Sequence, residues 1–250
     1  MFAFLNSKLK AKLENIDSST LRGEYKVNIY SRFALPSIRF YFSVHQIHKT
    51  HMSKLDDMAR KYLKKWLGIQ TNGVTDVSIF HPYMLNIKTP SNLYLEAHAG
   101  SYASIRLKGD EIVNHALNTR LERESKWSKK FSTIKTVDKI FKENIETGKI
   151  SLENNHKSIN IAKKVMKVSL KNETLKHWNS VVKKLTFQGD FFNLLIEEES
   201  NVTWQSIRNN IPKGVLSFAV KACSNGLNTP DNLKRWGQRK LEKCNIWRTS

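Results

Sequence analysis

The stretch that decides the fold runs from Tyr25 to Ile69 and reads YKVNIYSRFALPSIRFYFSVHQIHKTHMSKLDDMARKYLKKWLGI. Its second half repeats apolar residues with the 3.6-residue period of an amphipathic helix. Gly68 follows that pattern at the place where a left-handed glycine commonly ends a helix. We therefore expect two long helical segments, with one interruption in the first. The apolar positions of the second segment are Leu55, Met58, Ala59, Tyr62, Leu63, Trp66 and Leu67.

Three further expectations concern the same stretch. Pro36 removes one backbone N–H and clashes with the preceding turn, so it kinks or restarts the first helix. Ser53 is placed to cap the second helix, with Asp56 at the capping-box position. The segment after Pro36 is apolar nearly all round, which predicts deep burial of Ile38, Phe40, Tyr41, Phe42, Val44 and Ile47. The outer face of the second helix is basic and carries Lys54, Arg60, Lys61, Lys64 and Lys65.

The charge of the chain points to an acidic partner. Of its 250 residues, 42 are Lys or Arg and 22 are Asp or Glu, which gives a formal net charge of +20. The surplus is spread along the chain, and residues 118–186 alone hold 17 basic against 7 acidic side chains. Such an excess predicts attraction to polyanions, with nucleic acid first and an anionic membrane surface second.

Composition also bounds the setting in which the chain works. No apolar run approaches the roughly 18 residues of a membrane span. The two cysteines, Cys223 and Cys244, do not form a disulfide framework, and the chain carries no secretory pattern. We expect no membrane partner and an intracellular location, in the nucleus or the cytoplasm.

The rest of the chain predicts a mainly α fold with few strands. Leu5, Leu9 and Leu13 lie on one side of an N-terminal helix. Thr89-Pro90-Ser91 signals the start of another helix, and Gly148 marks a loop after the basic helices. A further helix is expected through 215–223, and a turn at Asn228-Thr229-Pro230 leads into a short basic segment.

No group of residues forms a catalytic or metal-binding pattern. His45, His48 and His51 recur every third residue and drift around a helix, so solvated or packed histidines are the favoured interpretation. Adjacent Asp56 and Asp57 point about 100° apart on a helix and do not hold two metals jointly. No phosphate-binding loop, dinucleotide fingerprint or nucleophile elbow is present.

Basic residues interleaved with aromatic residues are the dominant signal, for example in Lys61-Tyr62, Lys126-Trp127 and Arg235-Trp236. Lysine and arginine contact phosphates and release counterions, and exposed aromatic rings stack on bases. The alternative interpretation is that the rings form the core and the lysines only solubilise the chain. The net charge favours nucleic-acid binding.

Two segments resemble a known family. FALPSIRFYFSVHQIH with KLDDMARKYLKKWLGI is similar to the thumb region of reverse transcriptases from non-LTR retrotransposons, and NIPKGVLSFAVKACSNGLNTPDNLKRWGQRKLEKC resembles the segment that leads into that family's zinc-binding knuckle. The two segments lie in the family order and extend the resemblance over residues 20–247. The matching positions of the second segment are Leu227, Thr229, Pro230, Asn232, Leu233, Trp236, Gly237 and Cys244.

The resemblance implies a catalytically incomplete fragment of an RNA-directed DNA polymerase. The family's polymerase carboxylates precede the thumb and have no counterpart here, and two-metal phosphoryl transfer needs them. Trp247 replaces the second knuckle cysteine, so Cys244 is a lone remnant ligand. We therefore expect no DNA synthesis by this chain alone and no cofactor, although the parent family uses Mg and a structural Zn.

The resemblance also implies a division of the chain. Residues 1–22 are expected to be an N-terminal helix from the truncated end of a palm or connection, and 23–117 a thumb-like helical bundle. Residues 118–186 form a basic helical linker region, and 187–250 a second helical region that leads into an incomplete zinc-knuckle segment.

What remains of the parent function is binding of RNA or DNA, such as a template–primer, through phosphates. The alternatives are a helical module that binds a protein through exposed apolar surface or through the acidic cluster 197–199, and a remnant without function. The expected nucleic-acid contacts are Arg39, Lys54, Arg60, Lys61, Lys64, Lys65, Lys234, Arg235, Arg239 and Lys240.

Overall fold

The structure, a computed structural model, is built of helices. No strand occurs among the residues that it describes, so the prediction of a mainly α chain is confirmed. The described residues are 2–69, 75–127, 133–152, 156–185, 189, 192, 215–224, 226–227, 229–235 and 237.

The α-helices are numbered here in chain order, and several begin or end where the sequence predicts. Thr89 caps α6 with its hydroxyl, and α10 matches the expected helix through 215–223. The helices are α1 (Phe2–Ser18), α2 (Gly23–Ile29), α3 (Arg39–Val44), α4 (Lys49–Trp66), α5 (Val77–Phe80), α6 (Pro90–Lys108), α7 (Glu111–Trp127), α8 (Thr133–Glu146), α9 (His156–Val182), α10 (Val215–Cys223) and α11 (Pro230–Arg235).

The interruption at Pro36 is confirmed. Tyr30–Ala34 widens into a π-helical turn, in which the Leu35 N–H donates to the Tyr30 carbonyl at 2.9 Å. A 3₁₀ turn at Pro36–Ile38 follows, and α3 restarts the α-helix. The change of winding is the expected response to a residue that lacks an N–H and crowds the turn before it.

Of the predictions for the two ends of α4, the one for its start is wrong and the one for its end is confirmed. The predicted cap at Ser53 is wrong, because α4 begins at Lys49 and Ser53 lies inside it. Asp56 instead accepts a hydrogen bond at 2.9 Å from the backbone N–H of Ser91 and so caps α6. The predicted stop is confirmed, since Gly68 has φ 66° and the Ile69 N–H donates to the Lys64 carbonyl at 2.8 Å.

Contacts between residues divide the chain into two compact units. This grouping differs from the four segments that the resemblance implies. Those segments describe parts of a parent protein, and they stay a prediction. The first unit comprises Met1–Glu14, Tyr30–Ala59 and Lys88–Lys176, and the second comprises Asn15–Ile29, Arg60–Ile87 and His177–Ser250.

The core of the first unit is an apolar seam between α6, α8 and α9. Small residues of α6 permit close approach, and larger side chains of α8 and α9 fill the space between the helices. Leu117 and Leu121 of α7 pack against the same core. The buried members are Ala99, Tyr102, Ala103, Leu107, Ile134, Val137, Ile140, Phe141, Ile150, Ile159, Ala162, Met166 and Leu170.

The N-terminal part of the first unit confirms one burial prediction and contradicts another. Leu5, Leu9 and Leu13 are fully buried, as their spacing predicts. Deep burial all round α3 is wrong, since Phe40 is 70% exposed and Val44 is 59% exposed. α3 has solvent on one side: Ile38 at its start and Phe42 one turn later are buried, Tyr41 is partly buried, and Arg39 and Phe40 are exposed.

The second unit joins α2 to the end of α4 at very close range. An ideal Cβ built on Gly23 would lie 1.7 Å from the carbonyl oxygen of Trp66, so no larger residue fits there without backbone movement. A separate core in this unit packs Val77, Met84 and Val182 around Phe192. Trp178, Val181, Leu185 and Cys223 pack against these residues.

We predict opposite effects for two Gly→Ala substitutions. Gly23→Ala forces a methyl group into a backbone carbonyl and lowers the free energy of unfolding by about 2 kcal/mol or more. Gly100→Ala meets nothing within 4 Å in the middle of α6 and raises it by up to about 1 kcal/mol. Urea unfolding of both variants is the measurement, and equal effects would contradict the packing at Gly23.

Candidate nucleic-acid interface

The basic side chains of α4 lie in different environments. Lys54 and Lys61 are exposed and pair with no carboxylate among the described residues. Lys64 is only 3% exposed, so its predicted place on the solvent face is wrong. The helical period identifies neighbours on a face, and it does not show how far the buried face extends.

A carboxylate outside α4 draws Lys64 inward. The Lys64 Nζ lies 2.7 Å from one carboxylate oxygen of Asp76, and the Arg60 Nε lies 2.9 Å from the other. Arg60 and Lys64 are one turn apart on α4, and Asp76 stands just before α5. This triad joins two elements of the second unit, so its cations already have an anionic partner within the chain.

Lys65 is neutralised in a similar way. Its ammonium donates at 2.6 Å to Asp17, and the indole N–H of Trp66 donates to the other oxygen of that carboxylate at 2.9 Å. These hydrogen bonds, with that of Lys65 the largest cause, lower the pKa of Asp17. Of the five basic residues predicted on α4, three therefore pair with carboxylates of the second unit, and of these three only Lys64 is buried.

The other predicted contacts are spread over the chain. Arg39 is exposed on α3, and Lys234 is exposed on α11. The structure places Arg235 in α11 and describes nothing of its side chain. Arg239, Lys240, Cys244 and the acidic cluster 197–199 lie outside the described residues, so their roles stay predictions.

A stronger basic surface lies on α9 and was missed among the sequence-based contact residues. Lys157, Lys164 and Lys171 recur every seven residues and are exposed. Seven residues are almost two helical turns, so the three side chains share a face at intervals of about 10.5 Å. We call these three residues the lysine stripe. The sequence signal that identifies the lysine stripe is the spacing of seven residues between its lysines, not the surplus of basic residues in 118–186 alone.

The packing of α9 explains why the lysine stripe faces solvent. Ala162, Met166 and Leu170 occupy the opposite side and are buried in the core of the first unit. No ion pair with the lysine stripe occurs among the described residues. Exposed Ile161 and Val168 lie beside it on the same face. The stripe therefore presents three cations that no carboxylate of the described chain offsets.

A polar cluster between α6, α7 and α8 borders a cavity of about 310 Å³. Arg106 donates at 2.8 Å to the Tyr102 oxygen and at 2.8 Å to Asn118, while Tyr102 donates to Asp138. Lys142 lies 2.8 Å from the same Asp138 carboxylate. Burial, more than the bond to Asp138, raises the pKa of Tyr102. Because these groups satisfy one another, the cluster holds three helices together.

Two of the three regularly spaced histidines, His48 and His51, contact residues that are not metal ligands. The His48 Nδ1 lies 2.9 Å from the hydroxyl of Thr50, and the ring of His51 stacks on Phe2 with centroids 4.1 Å apart. Within the described ranges, no group of three His, Cys, Asp or Glu side chains is arranged to hold a metal ion.

Comparison with protein-family models, curated protein sequences and solved structures found no match. In the part of the chain that the structure describes, no helix is both long and apolar enough to cross a membrane.

We predict that Lys64 matters for stability and Lys61 does not. Lys64→Glu places a second carboxylate beside Asp76 in a buried site and lowers the free energy of unfolding by about 3 kcal/mol or more. Lys61→Glu is the matched control, an exposed charge reversal on the same helix, with an expected change of about 0.5 kcal/mol or less. Chemical unfolding followed by circular dichroism measures both, and a neutral Lys64→Glu would contradict the buried triad.

His81 is a second titratable group whose surroundings favour one charge state. It is 2% exposed, its Nε2 lies 3.0 Å from the side-chain Oδ1 of Asn179, and its Nδ1 accepts from the backbone N–H of Tyr83 at 3.2 Å. The neutral ring with its proton on Nε2 satisfies both bonds. A proton on Nδ1 would face the Tyr83 N–H. Burial is the largest cause that lowers the pKa of His81.

We predict a pH-dependent stability from His81. With a folded pKa below the unfolded value of about 6.5, the unfolded chain binds more protons near that pH, so this stabilisation is present above pH 6.5 and is lost as the pH falls. The difference in unfolding free energy between the wild type and His81→Asn should rise with pH, by at most about 1.4 kcal/mol per pH unit. Parallel curves between pH 5 and 8 would show that His81 titrates normally.

Proposed function

We propose that the chain binds RNA or DNA through phosphate contacts, as a non-catalytic protein of the kind that the resemblance to a retrotransposon reverse-transcriptase thumb suggests. The lysine stripe on α9 is the observation that carries this proposal. A nucleic acid is the polyanion that fits the positive charge of the chain. The compartments that we propose for the chain are the nucleus and the cytoplasm. Arg39, Lys54 and Lys61 are further contacts of the same kind.

The energetic basis is counterion release. A lysine that neutralises a phosphate frees a condensed cation, so the logarithm of the binding constant falls linearly with the logarithm of the salt concentration. The slope is about −0.9 per phosphate contact on duplex DNA. Lysine acts as a flexible point charge and makes no base-specific pattern, so affinity without sequence preference is expected.

Internal ion pairs divide the cations of the chain into two groups. Lys10, Lys139 and Lys176 are exposed and lie beside Glu14, Glu143 and Glu173, at 3.7, 3.7 and 2.8 Å. The lysine stripe has no such partners in the described residues. If binding depends on specific phosphate contacts, the two sets contribute differently, although each carries three positive charges.

We predict that the triple variant Lys157→Gln, Lys164→Gln, Lys171→Gln binds a labelled 20-base-pair duplex more weakly and with a flatter salt dependence. Its slope should fall by about 2 to 3, since each lost phosphate contact removes about one. The measurement is fluorescence anisotropy between 50 and 200 mM salt (about the range over which such contacts weaken most).

The matched control is the triple variant Lys10→Gln, Lys139→Gln, Lys176→Gln, which removes the same charge from paired positions. It should change the slope by about one or less. Equal losses in the two variants would mean that net charge acts without a site on α9. An affinity of the wild type that is the same at both ends of the salt range would refute phosphate binding altogether.

A further inference from the structure

An exposed aromatic cluster lies on α1 and α3 of the first unit. Phe40 is 70% exposed and Phe4 is 47% exposed, and the partly buried ring of Tyr41 contacts both. Burial of a phenylalanine side chain is strongly favourable, so rings left in solvent are informative where they adjoin one another. We call Phe4, Phe40 and Tyr41 the aromatic cluster.

The three rings pair edge to face, and Phe40 and Phe4 keep much of their surface in solvent. The centroids of Phe4 and Tyr41 are 5.3 Å apart at an interplanar angle of 62°, and those of Phe40 and Tyr41 are 5.8 Å apart at 78°. In an edge-to-face pair, the ring that offers its edge keeps both of its faces clear of its neighbour. Flat apolar faces at the surface are what a stacked base requires.

The surroundings of the aromatic cluster are cationic. Lys8 donates to the Tyr41 hydroxyl at 3.0 Å, and its ammonium lies 4.5 Å from the Tyr41 ring centroid and 5.6 Å from that of Phe4. Arg39 is exposed next to Phe40 in the chain. The segment from Tyr30 to Leu55 contains no Asp or Glu. A partner of this surface therefore has to be anionic.

Three occupants fit an exposed aromatic surface, and charge and ring type select among them. A second copy of the chain carries the same +20 charge and is repelled. An acidic protein satisfies the charge and gains nothing particular from exposed aromatic rings. A single-stranded nucleic acid supplies both a phosphate chain and bases, each with a π face.

We propose that the aromatic cluster is a stacking platform for the bases of single-stranded RNA or DNA. In this arrangement Phe40 and Phe4 stack on bases, and Lys8 and Arg39 contact the flanking phosphates. The proposal rests on the proposed nucleic-acid binding and adds a substrate class to it, because bases in a duplex are stacked on one another and do not reach the rings. Binding there is independent of sequence.

The first experiment separates stacking from phosphate binding. Fluorescence anisotropy of the full chain compares a labelled single strand of 20 nucleotides with an abasic strand of the same length and charge. We expect at least fivefold tighter binding of the strand that carries bases. Equal affinity for the two strands overturns the platform and leaves phosphate binding intact, whereas binding to neither strand overturns the proposed function as well.

The second experiment assigns the effect to the rings. Phe40→Ala and Phe4→Ala should each weaken single-strand binding about fivefold or more and leave duplex binding unchanged. Phe40→Trp should retain binding, because it keeps a π face. Phe40→Leu should lose it, because it keeps only apolar area. Wild-type affinity of Phe40→Leu would overturn the proposal.

Controls exclude unfolding and the other occupants. Tyr25→Ala removes a ring that is 55% exposed and belongs to the second unit, and it should not affect binding. Circular dichroism should be unchanged in every variant. Sedimentation of the wild type should show no self-association that Phe40→Ala abolishes. If it does, the surface is an interface between copies and the proposal is wrong.

Discussion

The apolar seam between α6, α8 and α9 is the constraint on which the first unit depends. Ala99 and Ala103 keep α6 thin, so that residues of α8 and α9 reach the same core. Because Met166 and Leu170 are buried in that core, the opposite side of α9 faces water. The lysine stripe is thus a consequence of packing, and its rigidity is that of a helix anchored along its inner face.

A shortage of carboxylates decides where the positive charge becomes available. The chain has 22 acidic side chains for 42 basic ones, and several of the acids stabilise internal junctions. Asp76 forms ion pairs with Arg60 and Lys64, and Asp17 forms one with Lys65. Exposed ion pairs contribute little to stability, so the pair of Asp17 with the 66% exposed Lys65 matters less than the pair of Asp76 with the buried Lys64. Cations without a neighbouring acid remain for an external partner, and the lysine stripe on α9 supplies three of them.

Local features of the fold were predictable from the sequence, and features that need a distant partner were not. Pro36 and Gly68 act through their own backbone, so the positions of their effects were correct. Ser53 looked like a cap because nothing nearby shows that α4 begins at Lys49. The inward position of Lys64 depends on Asp76, twelve residues away in sequence and beyond the helix. The exposure of Phe40 likewise depends on how much of α3 its neighbours cover.

For the candidate interface, the sequence indicates a class of partner and does not indicate which helix would meet it. Net charge indicates a polyanion without indicating a helix, and on α9 apolar residues occur on both the inner and the outer side, which obscures the buried face. The structure resolves the ambiguity because Ala162 and Met166 are buried while Ile161 and Val168 are exposed. The contact predicted at Arg239 lies outside the described part of the chain and stays a prediction.

Phosphate contacts and base stacking would depend differently on the salt concentration. This difference gives a reason why one chain would carry both surfaces. Counterion release weakens steeply as salt rises, while stacking on Phe40 depends mainly on apolar contact and persists. A lysine side chain loses rotamer entropy when it is fixed on a phosphate. The ring of Tyr41 is already held by Lys8, so an aromatic cluster ordered in advance loses less. In the proposed complex, steering by charge and retention by stacking would therefore be complementary contributions to the binding of a flexible strand.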